Sequence, residues 1–92
     1  MQLLKIYYAY FSPGNTTEKV VSHIASSFQN YPVESINLTD YATRQEDYYF
    51  KENELLIIGV PAYGGRVPAP VVDALRHFTG SNTPVVLVAT YG

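Results

Sequence analysis

The chain has 92 residues, 47% of them hydrophobic, a formal charge of −2 and no cysteine. That length supports one small domain burying roughly two-thirds of its unfolded surface. The slight negative charge gives no electrostatic reason to expect a nucleic-acid or anionic-membrane partner, and the missing thiols exclude disulfides, thiolate catalysis and cysteine-ligated iron–sulfur clusters within this segment.

The N-terminal stretch MQLLKIYYAYF carries a lysine inside its apolar run and lacks a small-residue cleavage site, so it reads as a first strand over Leu3 to Tyr10. No apolar run approaches the ~18 residues of a membrane span, and a cytoplasmic location is the expectation. After the loop FSPGNTT the spacing turns helical. Val20, Val21, Ile24, Ala25 and Phe28 form one apolar stripe, with Lys19, His23 and Ser27 on another face. Asn30-Tyr31-Pro32 ends the helix, and Val33 to Leu38 reads as a short strand with polar residues mixed in. Thr39 to Asn53 is polar and tyrosine-rich, a loop with one helical turn after Asp40. A second apolar run, Leu55 to Val60, leads into PAYGGRVPAP. Val71, Leu75 and Phe78 then mark a helix ending at Gly80, with Pro70 near its first turn and Arg76 and His77 near its negative end. Val85 to Ala89 is a third apolar run.

Continuous apolar strands alternating with amphipathic helices imply a parallel sheet covered on both faces. The expected fold is therefore α/β, a doubly wound sheet with strand order 2-1-3-4, forming one domain over residues 1–92. The strand at 33–38 is polar enough for an edge. The strand at 85–89 is as apolar as an interior strand, yet no further strand follows it. The expectation is a domain cut short after its fourth strand, or a homo-oligomer that covers the strand at 85–89.

Ligands of such a sheet bind beyond the carboxyl ends of the strands, which brings three segments together. The first is FSPGNTT, with the hydroxyls of Ser12, Thr16 and Thr17, the amide of Asn15, and Gly14 beside Pro13. Free N–H groups at a helix start make an anion site without a basic residue. The motifs for nucleoside triphosphates and for dinucleotides are both absent, so one phosphate monoester suits these groups best. The competing reading is a capping box, Asn15 as N-cap with Glu18 folding back. Position after the first strand favours phosphate. The second segment, Pro61-Ala62-Tyr63-Gly64-Gly65, presents a loop aromatic beside two glycines, and the third, Thr90-Tyr91-Gly92, supplies another aromatic. Together they suit a planar ring bearing a phosphate, against the plainer reading of a turn with surface tyrosines. No side chain is expected to act as acid or base, and no metal-ligand spacing is present. His23 reads as solvated, His77 as an aid to its helix end, and Glu46 and Asp47 as surface.

These motifs, LIIGVPAYGGRVPAP and TPVVLVATYG above all, resemble a flavodoxin-like FMN-binding domain. The similarity is nearest to the domain that bacterial flavodoxin–ferredoxin fusion proteins carry ahead of a 4Fe–4S module, and it covers essentially the whole chain. The resemblance implies an FMN-binding electron-transfer domain. Ser12, Thr16 and Thr17, with the Gly14 and Asn15 backbone, would hold the phosphate. Tyr63 and Tyr91 would stack on the flavin, with Gly64-Gly65 at its N5 edge. It also implies a redox partner or a fused 4Fe–4S module beyond residue 92. The phosphate loop departs from that pattern: an ungapped match loses a hydroxyl at Gly14 and puts Asn15 at the tight-turn glycine. One hydrogen bond to a charged group is worth about 1.5–3 kcal/mol, roughly tenfold to hundredfold in affinity. A flavin-free scaffold that self-associates through its fourth strand is the alternative.

Overall fold

Alternating side chains make the first strand a two-sided element. In β1 (Lys5–Tyr10) Ile6, Tyr8 and Tyr10 face one side, while Tyr7 and Ala9 face the other, followed by Phe11. The computed structural model describes residues 3–91. After β1 come α1 (Thr16–Ser26), β2 (Val33–Asn37), α2 (Tyr41–Arg44), β3 (Tyr48–Tyr49), β4 (Glu54–Ala62), α3 (Ala69–Leu75), β5 (Phe78–Thr79) and β6 (Val85–Tyr91).

Four strands form a wholly parallel sheet in the order β2-β1-β4-β6. Without the two-residue strands this is the expected order 2-1-3-4. The β4 strand lies in the interior, and its alternating residues feed both cores. Val21 and Ala25 of α1 meet Ile6, Tyr10 and Ile57 on one face. On the opposite face Val71 and Ala74 of α3 meet Ala9, Ile58 and Val60. Helices on both faces make the fold doubly wound. The chain leaves β1 toward β2 over one face and leaves β4 toward β6 over the other, so the two connections diverge between β1 and β4.

Gly59 sets how close α1 can lie. A Cβ there would collide with the Val21 side chain and stand 2.9 Å from Thr17 Cγ2. The glycine therefore lets the first turns of α1 rest directly on β4.

Four expectations need correction. The second helix stops at Leu75, not Gly80. Phe78 lies instead in β5, which pairs with β3 through Tyr48↔Phe78 and Tyr49↔Thr79. Tertiary packing explains this, because Phe78 joins an aromatic group in which Phe50 lies 5.3 Å from Phe78 and 5.0 Å from Tyr7. Within Thr39–Asn53 the expected turn after Asp40 is α2, capped by the Asp40 carboxylate, which accepts the Thr43 N–H at 3.1 Å, but β3 then adds a strand that the loop reading lacked. His77 lies beyond the helix, with Nδ1 2.7 Å from Asp47 Oδ1. The apolar stripe of α1 is also narrower than its spacing suggests, since Val20 is exposed.

Replacing Gly59 with alanine should push α1 from β4 and destabilise the fold by about 1–3 kcal/mol, read as a lower urea midpoint at unchanged m-value. A second expectation concerns alkaline pH. Burial, and then the hydrogen bond to Glu46, push the Tyr48 hydroxyl up to about 12. The folded state thus holds a proton that the unfolded chain releases near pH 10. This contribution to stability is complete below pH 10 and is lost as pH rises toward 12. Tyr48→Phe should flatten the fall of the urea midpoint over that range.

Candidate functional site

The divergence between β1 and β4 opens a cavity of about 120 Å³ at the carboxyl ends of the strands. It is lined by Ser12, Pro13, Gly14, Thr16, Thr17, Pro61, Tyr63, Thr90 and Tyr91. All three expected segments contribute. Asn15, Ala62, Gly64 and Gly65 lie nearby without lining it, and Gly92 falls outside the described residues.

Ser12 anchors the first loop through three hydrogen bonds. Its N–H donates to Thr39 Oγ1 at 2.8 Å, its carbonyl accepts the Asn15 N–H at 3.1 Å, and its hydroxyl oxygen accepts the Glu18 N–H at 3.0 Å. This corrects the capping-box reading. Asn15 makes no side-chain cap bond and instead takes a left-handed conformation, φ 66° and ψ −3°, which asparagine tolerates better than most residues. The Lys19 N–H returns to the Asn15 carbonyl at 3.2 Å. Among the described residues the N–H groups of Thr16 and Thr17 have no acceptor, as expected at a helix start. The Ser12 hydroxyl proton also remains available.

Thr17 has a partner within the fold. Its buried hydroxyl lies 2.7 Å from that of Thr90, which is 3.5 Å from the Val60 carbonyl. The side chain therefore ties α1 to β6, and its backbone N–H has no acceptor among the described residues. Thr39 was not foreseen. It follows β2, 27 positions from Ser12, and only the pairing of β2 with β1 makes the two neighbours. Its own N–H donates to Asn37 Oδ1 at 3.0 Å.

The second and third segments are more strand than loop. Pro61 and Ala62 close β4, paired with Thr90 and Tyr91 of β6. Pro61 is tolerated because β1 has already ended, its last bond running from the Phe11 N–H to the Gly59 carbonyl at 3.1 Å. Tyr63 and Arg66 then exchange two backbone hydrogen bonds, 2.9 and 3.0 Å, across Gly64 (φ 58°) and Gly65 (φ 79°). Positive φ at both central positions is the requirement of a type I′ turn. Tyr63 and Tyr91 are 57% and 79% exposed.

No lining residue carries a charge, so the cavity offers neutral donors only. Just behind it, burial raises the Tyr10 hydroxyl above its usual range, and the Glu18 carboxylate adds to this. A second cavity of about 430 Å³ opens between α2 and α3. There Arg44 is already engaged, donating to the Leu38 and Thr39 carbonyls at 3.1 Å each.

No family model matches the chain, and no solved structure does so either. The curated proteins it is similar to include several named Ribonuclease Z. Those of Staphylococcus aureus strains MSSA476 and MW2 are 42% identical over 61 residues, which is 60% of this chain and 20% of theirs. That of strain JH9 is 40% identical over the same coverage. The chain spans about a fifth of the length of these relatives. These findings correct the family resemblance drawn from the loops. Kinship with flavodoxin–ferredoxin fusions gains no match, and the matched name is not that of a flavoprotein, an electron carrier or an oxidoreductase. The expectation of a fused 4Fe–4S module rested on that resemblance alone. Among the described residues, no helix is long and apolar enough to cross a membrane.

The left-handed Asn15 yields a direct test. Asn15→Gly should leave stability within about 1 kcal/mol, whereas Asn15→Val should lower it by a further 1–2 kcal/mol or so, because a β-branched residue resists positive φ. Urea melts of the three chains check the order.

Proposed function

We propose that the cavity is a binding site for a planar ring compound carrying one phosphate monoester, with FMN as the ligand. The observation that carries this reading is the convergence of three segments on one cavity where the β1 and β4 connections diverge. The site offers neutral hydrogen-bond donors and two exposed tyrosines, and no acid or base lines it. Such a set can bind and orient but has no proton-transfer group beyond weakly acidic hydroxyls.

Size and free donors decide what the cavity can hold. About 120 Å³ admits a phosphate group but falls short of the roughly 300–1,000 Å³ that engulfs a whole small ligand. The ring therefore belongs on the open surface beside Tyr63 and Tyr91. The Thr16 and Thr17 amides and the Ser12 and Thr16 hydroxyls would hold the phosphate, aided by the positive end of α1. Bound FMN would supply a reducible, coloured ring; the chain's own part is to neutralise the phosphate with dipoles and to stack the ring. A cytoplasmic location accompanies this reading. Ribonuclease activity is not carried over from the relatives, because the chain spans a fifth of them and the cavity lacks an acid or base.

Flavin fluorescence titration tests the proposal. FMN should bind saturably, and riboflavin, which lacks the phosphate, should bind at least tenfold more weakly. Equal affinity for the two, or no saturable binding, would overturn it. A Cβ at Gly14 meets nothing within 4 Å, and Gly14 has no left-handed φ. Gly14→Thr should therefore be accommodated and tighten FMN roughly tenfold by adding a hydroxyl.

A further inference from the structure

We infer that the cavity between α2 and α3 binds a small organic carboxylate, with Arg44 as its anchor. The cavity measures about 430 Å³, within the roughly 300–1,000 Å³ of small-molecule sites. It shares no lining residue with the cavity at the strand ends. Arg44, Gln45, Asp73 and His77 supply its polar groups, while Tyr41, Pro70 and Ala74 supply a largely apolar wall.

Arg44 is held in place before any ligand arrives. It is the last residue of α2, a turn fixed by the Asp40 side chain, which accepts the Thr43 N–H at 3.1 Å and the Thr43 hydroxyl at 2.7 Å. From there Nη1 donates back to the Leu38 and Thr39 carbonyls at 3.1 Å each. The guanidinium Cζ lies 5.3 Å from the Tyr41 ring centroid and 5.8 Å from that of Phe11. The two carbonyls occupy both Nη1 protons. The opposite edge, Nε–H and Nη2–H, meets no acceptor among the described residues, and Arg44 forms no ion pair among them. Two parallel N–H groups on one edge match the two oxygens of a carboxylate. A side chain already fixed loses little entropy when it binds one.

His77 is the second fixed group. Its Nδ1 lies 2.7 Å from Asp47 Oδ1. An ionised carboxylate can only accept, so Nδ1 donates and Nε2 is left for a ligand.

Charge decides between oxyanions. Arg44 shares the cavity with Asp73, and Asp47 stands behind His77. The nearest counter-ion of Asp73 is Arg76, 3.8 Å away with both side chains largely exposed, so that pair is weak. A phosphate dianion would meet one cation and two carboxylates, whereas a monoanion matches the single guanidinium. The wall formed by Tyr41, Pro70 and Ala74 then receives the carbon body of the ligand. Tyr41 is 69% exposed, which leaves the site open and sets the affinity at roughly millimolar.

Benzoate is the probe. In proton–nitrogen correlation spectra of the full chain it should shift the Arg44 Nε–H and the amides of Gln45, Ala74 and His77 saturably. Benzamide has the same shape without the charge and should bind roughly tenfold more weakly, as should inorganic phosphate. Arg44→Lys keeps the charge but loses the fork, and should weaken benzoate by roughly tenfold as well. No saturable shift, benzamide or phosphate binding as tightly as benzoate, or an undiminished lysine variant would each overturn the inference. If that variant does not fold, the three probes on the unaltered chain decide. Benzoate should leave the FMN titration unchanged, and competition between the two would place benzoate in the other cavity and overturn the assignment. Failure of FMN to bind would sink the ligand reading of that other cavity and leave this one standing.

Discussion

The contact between α1 and β4 at Gly59 is the constraint from which the rest of the architecture follows. With no side chain at that position, Val21 and Thr17 sit directly on the strand. The apolar face of α1 can then bury Val21 and Ala25 against Ile6 and Ile57, the valine and the two isoleucines each contributing about 1.5–3 kcal/mol when fully buried. That same seating fixes the N-terminus of α1 over the ends of β1 and β4. The cavity exists because the helix starts there and because the chain leaves the two strands in opposite directions.

Within the cavity, some hydroxyls hold the fold and others stay free. Thr17 and Thr90 are committed to each other, and Ser12 supports the Glu18 amide. What remains free is mainly backbone N–H, whose direction is set by the helix and not by a rotamer. Donors fixed in this way lose little entropy on binding an anion. None of the cavity's lining residues is charged, and the proposed binding role rests on these neutral donors.

The comparisons separate local loop chemistry from ancestry. PAYGGRVPAP looked like a family signature, yet much of its punctuation has a local cause. Gly64 and Gly65 meet the positive φ of a tight turn. Pro61 stands where β1 no longer needs a partner, and Pro68 and Pro70 open α3. A loop can carry all of these features for backbone reasons, so they do not establish kinship.

Strong local periodicity made most of the fold legible. The apolar runs of β1, β4 and β6, the start of α1 and the single turn after Asp40 could all be read from residue types, because burial on a sheet face or helix stripe demands them at fixed spacing. The strand order and the grouping of Ser12, Tyr63 and Tyr91 followed from that alternation. Long-range contacts decided the remainder. Phe78 left the helical pattern because Tyr48 and Phe50 offered it an aromatic neighbourhood. Thr39 became the anchor of Ser12 because β2 lies beside β1, and the Thr17 hydroxyl found a partner in Thr90 because β6 brought that residue to it. Each of these depends on residues far apart in sequence, whose proximity exists only once the sheet has formed.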